Sequence, residues 1–238
     1  FLRLADRLHN MRTLEFLPEE KQKRIARETL EVFAPLAERL GVEEVKGELE
    51  DLAFPYIYPD EYRKVFEKSK IQFKKAGEHI IKMKKNILKK LAAVGIKAKV
   101  HSRKKHFYSL WRKLERSEIN WDFDKVYDIV ALRILVDTVE NCYVALGIVH
   151  NSYKPVPKIG VSDFIAQPKP NGYRSIHTKV FGPGERIVEV QIRSFEMHEE
   201  AENGLAAHWY FSLKKSGRAS DKNVERGFFA PTEKLKWV

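Results

Sequence analysis

The chain has 238 residues, 43% of them hydrophobic and 11% aromatic, and 44 Lys and Arg against 33 Asp and Glu give a formal net charge of +11. That composition excludes an intrinsically disordered chain, and no apolar run reaches the ~18 residues of a membrane-spanning helix. The positive excess calls for an anionic partner, whether nucleotide, nucleic acid or a membrane surface. Cys142 is the single cysteine, so no intrachain disulfide forms, which suits a cytoplasmic setting. The chain opens on Phe1, directly inside an amphipathic pattern, and reads as a fragment of a longer protein with no signal peptide.

In chain order, Leu4, Leu8 and Met11 recur at helical spacing within Phe1–Leu14. Ile25, Thr29, Val32, Leu36 and Leu40 repeat it over Glu19–Leu40, with Pro35 expected to kink the helix and Gly41 to stop it. A short helix carries Val45, Leu49 and Leu52. The run Phe54-Pro55-Tyr56-Ile57-Tyr58-Pro59 reads as a connector that is not helical throughout. Pro59 opens a long helix in which Phe66, Phe73, Ile80 and Ile87 recur every seven residues. From His79 to Leu114 there are twelve Lys and Arg and no acid. Gly95 ends that helix, and residues 96–100 alternate as a strand.

Phe107, Leu110, Trp111 and Leu114 then form the buried face of a helix, while Lys105, Ser109 and Lys113 form a separate polar stripe. The stripe reads as a triphosphate cradle or as a solvated basic face; no Walker A loop is present. Val126–Asp137 is an apolar run broken by Asp128 and Arg133, the pattern of a central strand buried on both sides. A helix over Val139–Tyr153 and a loop over Lys154–Gly160 follow.

Pro168–Ser194 organises the rest. It holds a basic-aromatic loop with Lys169, Asn171, Gly172, Tyr173 and Arg174, a strand ending at Phe181, a turn at Gly182-Pro183-Gly184, and a second strand from Ile187 to Arg193. Along that strand Val188, Val190 and Ile192 alternate with Glu189, Gln191 and Arg193, so one face is apolar and the other polar. Lys169, Arg174, His177 and Lys179 surround Glu189, an arrangement suited to a phosphate-rich, base-containing ligand with a metal. Asp128 and Glu189 read as acids on neighbouring strands that share one divalent cation, or as two unrelated surface carboxylates. Phe195–Leu213 closes as a helix with Met197, Ala201, Leu205 and Trp209 inward. His198-Glu199 begins a zinc-like pattern that fails at Glu202, and Lys214–Pro231 reads as a linker. Strand patterns near 96–100, 129–136, 174–181 and 187–193, interleaved with helices, predict an α+β fold after an all-helical N-terminal region.

The run Arg103–Lys113, the strand Tyr127–Arg133, the loop Pro168–His177, the strand Val188–Arg193, and His198 with Ala206-Ala207-His208-Trp209 together resemble the RelA/SpoT family of alarmone synthetase/hydrolase proteins. Leu4–Leu14 is similar to the last metal-binding motif of that family's HD hydrolase domain. The resemblance implies a nucleotidyltransferase-like mixed sheet flanked by helices. It divides the chain into an HD remnant at 1–55, a helical connection at 56–94, a (p)ppGpp synthetase domain at 95–214, and at 215–238 a linker toward a missing region. It implies transfer of pyrophosphate from ATP to the 3′-hydroxyl of GDP or GTP, with Mg2+, in the stringent response. By position, Arg103 and Arg133 would hold adenine, and Lys105, Ser109 and Lys113 the ATP phosphates. Asp128 and Glu189 would ligate magnesium, with Glu189 also activating the acceptor hydroxyl. Tyr173 would stack on guanine, and Lys169, Asn171 and His177 would contact the acceptor nucleotide. Ribosome association is expected only of a longer parent. No His-Asp dipeptide is present, so Asp6 is a vestigial hydrolase ligand and hydrolysis is not expected. Gly160-Val161-Ser162-Asp163 carries neither the Arg-x-Lys-Asp signature of hydrolysing members nor the acidic one of synthesis-only members, which leaves GDP against GTP open. The other readings are a catalytically silent regulatory fragment, and an RNA-binding module built on the basic stretch Lys82–Lys105.

Overall fold

The computed structural model describes residues 2–203; the closing helix beyond Asn203, with Leu205, His208 and Trp209, and the linker lie outside the described residues. Four helices come first: α1 (Leu2–Arg12), α2 (Glu19–Glu28), α3 (Ala34–Arg39) and α4 (Glu43–Ile57). They bury Leu4, Met11, Leu14, Ala26, Ala37, Val42, Leu49 and Ala53 in one cluster. The kink expected at Pro35 takes the form of a π turn over Thr29–Phe33, which hands the chain to α3 with Pro35 in its first turn. A proline lacks the N–H that an α-helix needs, so the ladder is re-spaced just before it. Gly41, at φ 74°, ends α3 as expected.

The run Phe54–Pro59 is not helical throughout, as expected, but the break is confined to Tyr58: Phe54–Ile57 form the last turn of α4 with Pro55 inside it, and Pro59 opens the next helix. Phe54 is fully buried, edge-on to Tyr62 and Tyr108 at 5.5 and 5.4 Å and stacked on Trp111 at 5.1 Å. Burying the ring contributes about 2–3 kcal/mol and each aromatic pair ~1 kcal/mol more, which outweighs the ~3 kcal/mol that a proline costs in a helix.

From Pro59 to Ala93 runs α5, whose Val65, Ile80, Met83, Ile87 and Leu91 are buried in the main core. That core lies between α5, α7 (Val139–Ser152) and one face of a five-stranded sheet. The strands are β1 (Ala98–Lys104), β2 (Val130–Val136), β3 (Ser162–Asp163), β4 (Ile176–Phe181) and β5 (Ile187–Ser194), in the order β1-β2-β5-β4-β3. Only β2 and β5 pair in parallel, so the sheet is mixed. Register follows from alternation: Leu132 pairs with Val190, Ile134 with Ile192, Ile192 with Ile176 and Val188 with Val180 across β2, β5 and β4, and all share the apolar face. Every residue of β2 is buried, as its continuous apolar run demands. β1 starts two residues later than the alternation suggested and reaches Lys104, because Gly95 at φ 77° and the bond from Ile96 N–H to the Leu91 carbonyl (3.0 Å) first close off α5. Gly184 at φ 70° turns the β4–β5 hairpin. The fold is α+β, with a helical N-terminal region.

α4 is fastened to α6 (Phe107–Leu114) by Asp51, which accepts from the Tyr108 N–H (2.9 Å) and pairs with His106 Nδ1 (2.9 Å). Burial works against charging His106, but Asp51 outweighs it and holds the imidazole above its ordinary value. Glu50, one residue before, is buried and lies 3.4 Å from Ser109 Oγ.

Two outcomes follow at this seam. A Cβ on Gly47 would overlap the His106 ring. Alanine in a helix interior ordinarily stabilises by ~1 kcal/mol over glycine. Here the overlap and the disturbed Asp51 bond dominate, and Gly47→Ala is expected to lower unfolding free energy by about 1–2 kcal/mol net. A rise in stability by urea titration would show that the seam yields. Burial, reinforced by Asp51 and Glu38 and opposed by Lys46, lifts the Glu50 carboxyl to about 7. A raised carboxylate keeps its proton in the folded state between pH 4.5 and 7 while the unfolded chain has lost it, so stability falls as pH rises through that window. The full effect is on the order of 3 kcal/mol. Glu50→Gln should therefore match wild type near pH 4.5 and exceed it at pH 8; an equal difference at both pH values refutes the buried titration.

Candidate active site

The face of the sheet opposite the main core is polar. Register sets His101, Arg133, Gln191 and His177 in one row across four strands, and Lys179 beside Glu189 in the next. Strands alternate faces, so one apolar core and one charged face come from the same residues.

Glu189 is 9% exposed. Its Oε1 accepts from Gln191 Nε2 at 3.0 Å and faces His177 Nδ1 at 3.2 Å. Burial disfavours the charge, yet the hydrogen bonds from His177 and Gln191 prevail and hold the carboxyl below its ordinary value, with Asp128 near enough to push the other way. On its far side His177 Nε2 meets the Tyr173 hydroxyl at 2.9 Å. A neutral imidazole with its proton on Nδ1 satisfies both contacts, donating to Glu189 and accepting from Tyr173. Lys169 Nζ stands 5.0 Å from the Tyr173 ring centre and 4.9 Å from that of Phe164. Gly172, at φ 78°, makes the turn that returns Tyr173 to the sheet.

Asp128 precedes β2 and is clamped by two lysines, Lys105 to Oδ2 and Lys113 to Oδ1, both at 2.8 Å. Burial again opposes the charge, and the two ammonium groups drive the carboxyl down to about 2. One turn along the stripe, Ser109 turns instead toward Glu50. Asn171 likewise turns away, its Nδ2 donating to Glu43 Oε1 of α4 at 3.3 Å. Lys105 and Lys113 thus converge on Asp128, while Ser109 and Asn171 face the helical region.

Arg133 and Arg193 both donate to Glu202 Oε1, at 3.0 and 2.9 Å, and Arg193 also meets His198. Burial, with Arg193 and Arg103 nearby, pulls the Arg133 guanidinium down to about 10 despite Glu202. Arg103 Nε, Arg133 Nε, Arg193 Nε and Gln191 Oε1 are buried without a hydrogen-bond partner among the described residues. Four such groups on one face mark a place where a polar ligand completes the bonding. Asp6 is exposed on α1, away from this face, and no group of three or more His, Cys, Asp or Glu poised for a metal occurs among the described residues. With Glu202 taken up by Arg133 and Arg193, the described residues leave two further carboxylates at the sheet face, Asp128 and Glu189.

Sequence reasoning named neither Gln191, Arg193 and Glu202 as site residues nor Glu50 as the partner of Ser109. The period-2 alternation from Glu189 carried the signal for Gln191 and Arg193. Glu50 had none, since Ser109 lies 59 residues away in the chain; Glu202 bonds Arg133 69 residues away and Arg193 only nine away, but across the turn from β5 into the following helix, where no single period links the two.

A family model described as a region found in RelA / SpoT proteins matches residues 102–216, and an HD domain model matches residues 1–43. A protein of Myxococcus xanthus named GTP pyrophosphokinase is 46% identical over 99% of this chain and 30% of its own length. One of Aquifex aeolicus named guanosine-3′,5′-bis(diphosphate) 3′-pyrophosphohydrolase is 46% identical over 94% of this chain and 32% of its own. A solved small alarmone synthetase 1 of Bacillus subtilis, bound to its product pppGpp, aligns at 24% identity and a TM-score of 0.46 over 68% of this chain and 87% of its own. The chain spans 26% to 32% of the length of the first curated relatives it matches. Its charged sheet face falls inside the matched region, relatives from several bacteria share nearly half its residues, and the chain belongs to the RelA/SpoT family.

Proposed function

We propose that the polar sheet face transfers pyrophosphate from ATP to the 3′-hydroxyl of GDP or GTP, yielding (p)ppGpp and AMP. The observation that carries this reading is the pairing of two ionised carboxylates, Asp128 and Glu189, within electrostatic reach of each other on a face otherwise lined by cations and open donors. The names of the relatives support the same chemistry.

The acceptor oxygen attacks the β-phosphorus of ATP, the bond from that phosphorus to the α,β-bridging oxygen breaks, and AMP leaves. Glu189 takes the proton from the acceptor hydroxyl. Contact of His177 with the acceptor nucleotide would withdraw one of the two hydrogen bonds on Glu189 and raise its basicity. Tyr173, with Lys169 beside it, would stack on guanine. Asn171 would join the acceptor site on release from Glu43. Arg103 and Arg133 would take adenine between them, their open Nε donors pointing to such a partner. Lys105 and Lys113 would move from Asp128 to the phosphates, with Ser109 turning from Glu50. Asp128 and Glu189 fit Mg2+, which takes one or two carboxylates plus substrate phosphates. Bound there, the ion would neutralise charge on the phosphate chain. Phosphoryl transfer rests on positioning and charge neutralisation, and this face supplies both. The reading sets the reaction in the cytoplasm as part of the stringent response, with ribosome association reserved for a longer protein that carries this region. No helix among the described residues is long and apolar enough to cross a membrane.

Glu189→Gln keeps the shape and the strand alternation but removes the charge and the base. At saturating ATP, GDP and magnesium it should slow (p)ppGpp formation by about a hundredfold to ten-thousandfold, with circular dichroism unchanged. A folded variant retaining more than about a tenth of the rate refutes the assignment.

A further inference from the structure

On the opposite side of β1 from Arg103, a groove of about 520 Å³ is lined by Phe66, Phe73 and Phe107 with Lys70, Lys74 and Lys104. Lys104 alternates with Arg103 along the strand, so the groove and the nucleotide face are back to back. The three rings form a continuous half-buried surface: Phe107 lies 5.5 Å from Phe66 and 6.0 Å from Phe73, centre to centre. Cations stand over it, Lys70 Nζ 4.2 Å from the centre of Phe66 and Lys104 Nζ 5.4 Å from that of Phe73. All three lysines are exposed, and among the described side chains Lys70 pairs with Glu67 at 3.3 Å while Lys74 and Lys104 carry no ion pair. Beyond the groove, exposed Lys82, Lys85 and Lys89 continue along α5. At 100° per residue, Lys70, Lys74, Lys82, Lys85 and Lys89 fall within about a third of the helix circumference, over roughly 28 Å of its length. Glu67 and Glu78 share that arc, two acids against five lysines.

Apolar rings interleaved with ammonium groups, only one of which has a carboxylate partner among the described residues, fit few partners. An apolar helix laid here would strip water from Lys74 and Lys104 without compensation. An acidic peptide would answer the lysines and leave the rings idle. A single-stranded polynucleotide answers both, with base faces on the rings and phosphates on the lysines, whereas a duplex keeps its base faces stacked inside.

We propose that this groove and the lysine row of α5 bind single-stranded RNA, separately from the nucleotide face. The probe is a fluorescein-labelled twelve-nucleotide uridine oligomer, titrated with the whole chain by anisotropy between about 50 and 200 mM salt. Replacing Lys70, Lys74 and Lys104 together by Gln should weaken binding and reduce the slope of log affinity against log salt by about 2, from three lost phosphate contacts on a single strand. Phe66→Leu, folded by circular dichroism, should weaken binding by about fivefold or more with the slope unchanged, through loss of stacking. Unchanged affinity in Phe66→Leu, beside a full effect of the lysine changes, would reduce the surface to unspecific attraction and overturn the proposal. Displacement of the oligomer by AMP as readily as by unlabelled oligomer would identify a free-nucleotide site and overturn it equally.

Discussion

Three arginines on one sheet face, with Glu202 as the carboxylate that bonds two of them, set the terms for everything around them. Arg193 is 1% exposed and Arg133 9% exposed, and both rest on the same oxygen of Glu202. Buried charge is tolerated only when it is paired and bonded. One carboxylate oxygen cannot answer two guanidinium groups with Arg103 close by, and the lowered value of Arg133 registers the shortfall. The sheet answers by register. Its parallel β2–β5 pairing sets Arg133 beside Gln191, and α8 (Phe195–Asn203) folds back to deliver Glu202. The opposite face is left to carry the apolar core. What stays unmet is a demand for negative charge, and an anionic substrate meets it.

Asp128 and Glu189, the carboxylates of the face that bond no arginine, are held by different means, which separates their behaviour. Asp128 sits between two ammonium groups and stays charged at any pH where the protein works. Glu189 depends on a histidine and an amide, both of which can turn away. A charge fixed by ion pairs suits an anchor, and one fixed by movable hydrogen bonds suits a group whose basicity must change during turnover.

What could be read from the residues was whatever has a local period. The alternation of Val188, Val190 and Ile192 gave the hairpin and the side on which Glu189 lies. The unbroken run around Leu132 and Ile134 gave the central strand, and the spacing of Ile80 and Ile87 gave the buried side of α5. Contacts between elements distant in the chain left no such trace. Of the stripe Lys105, Ser109, Lys113 only the last two lie on α6, Lys105 standing in the junction before it, and Ser109 is drawn to Glu50 because α4 packs there. Phe54-Pro55 looked like a break since proline dominates local preference; the aromatic cluster that overrides it is assembled from residues as far away as Trp111. Glu202, dismissed as the wrong residue for zinc, proves to be the counter-ion of the face.

An open sheet ends in two rims, each a row of unpaired peptide groups that invites another chain. Here β3 forms one rim and is only two residues long. β1 forms the other and projects Lys99, His101 and Lys104 into water. Brevity guards one side and like charge the other, so a second copy approaching edge to edge would find too little backbone at β3 and mutual repulsion at β1. The same positive charge that opposes self-pairing at the β1 rim draws polyanions to it.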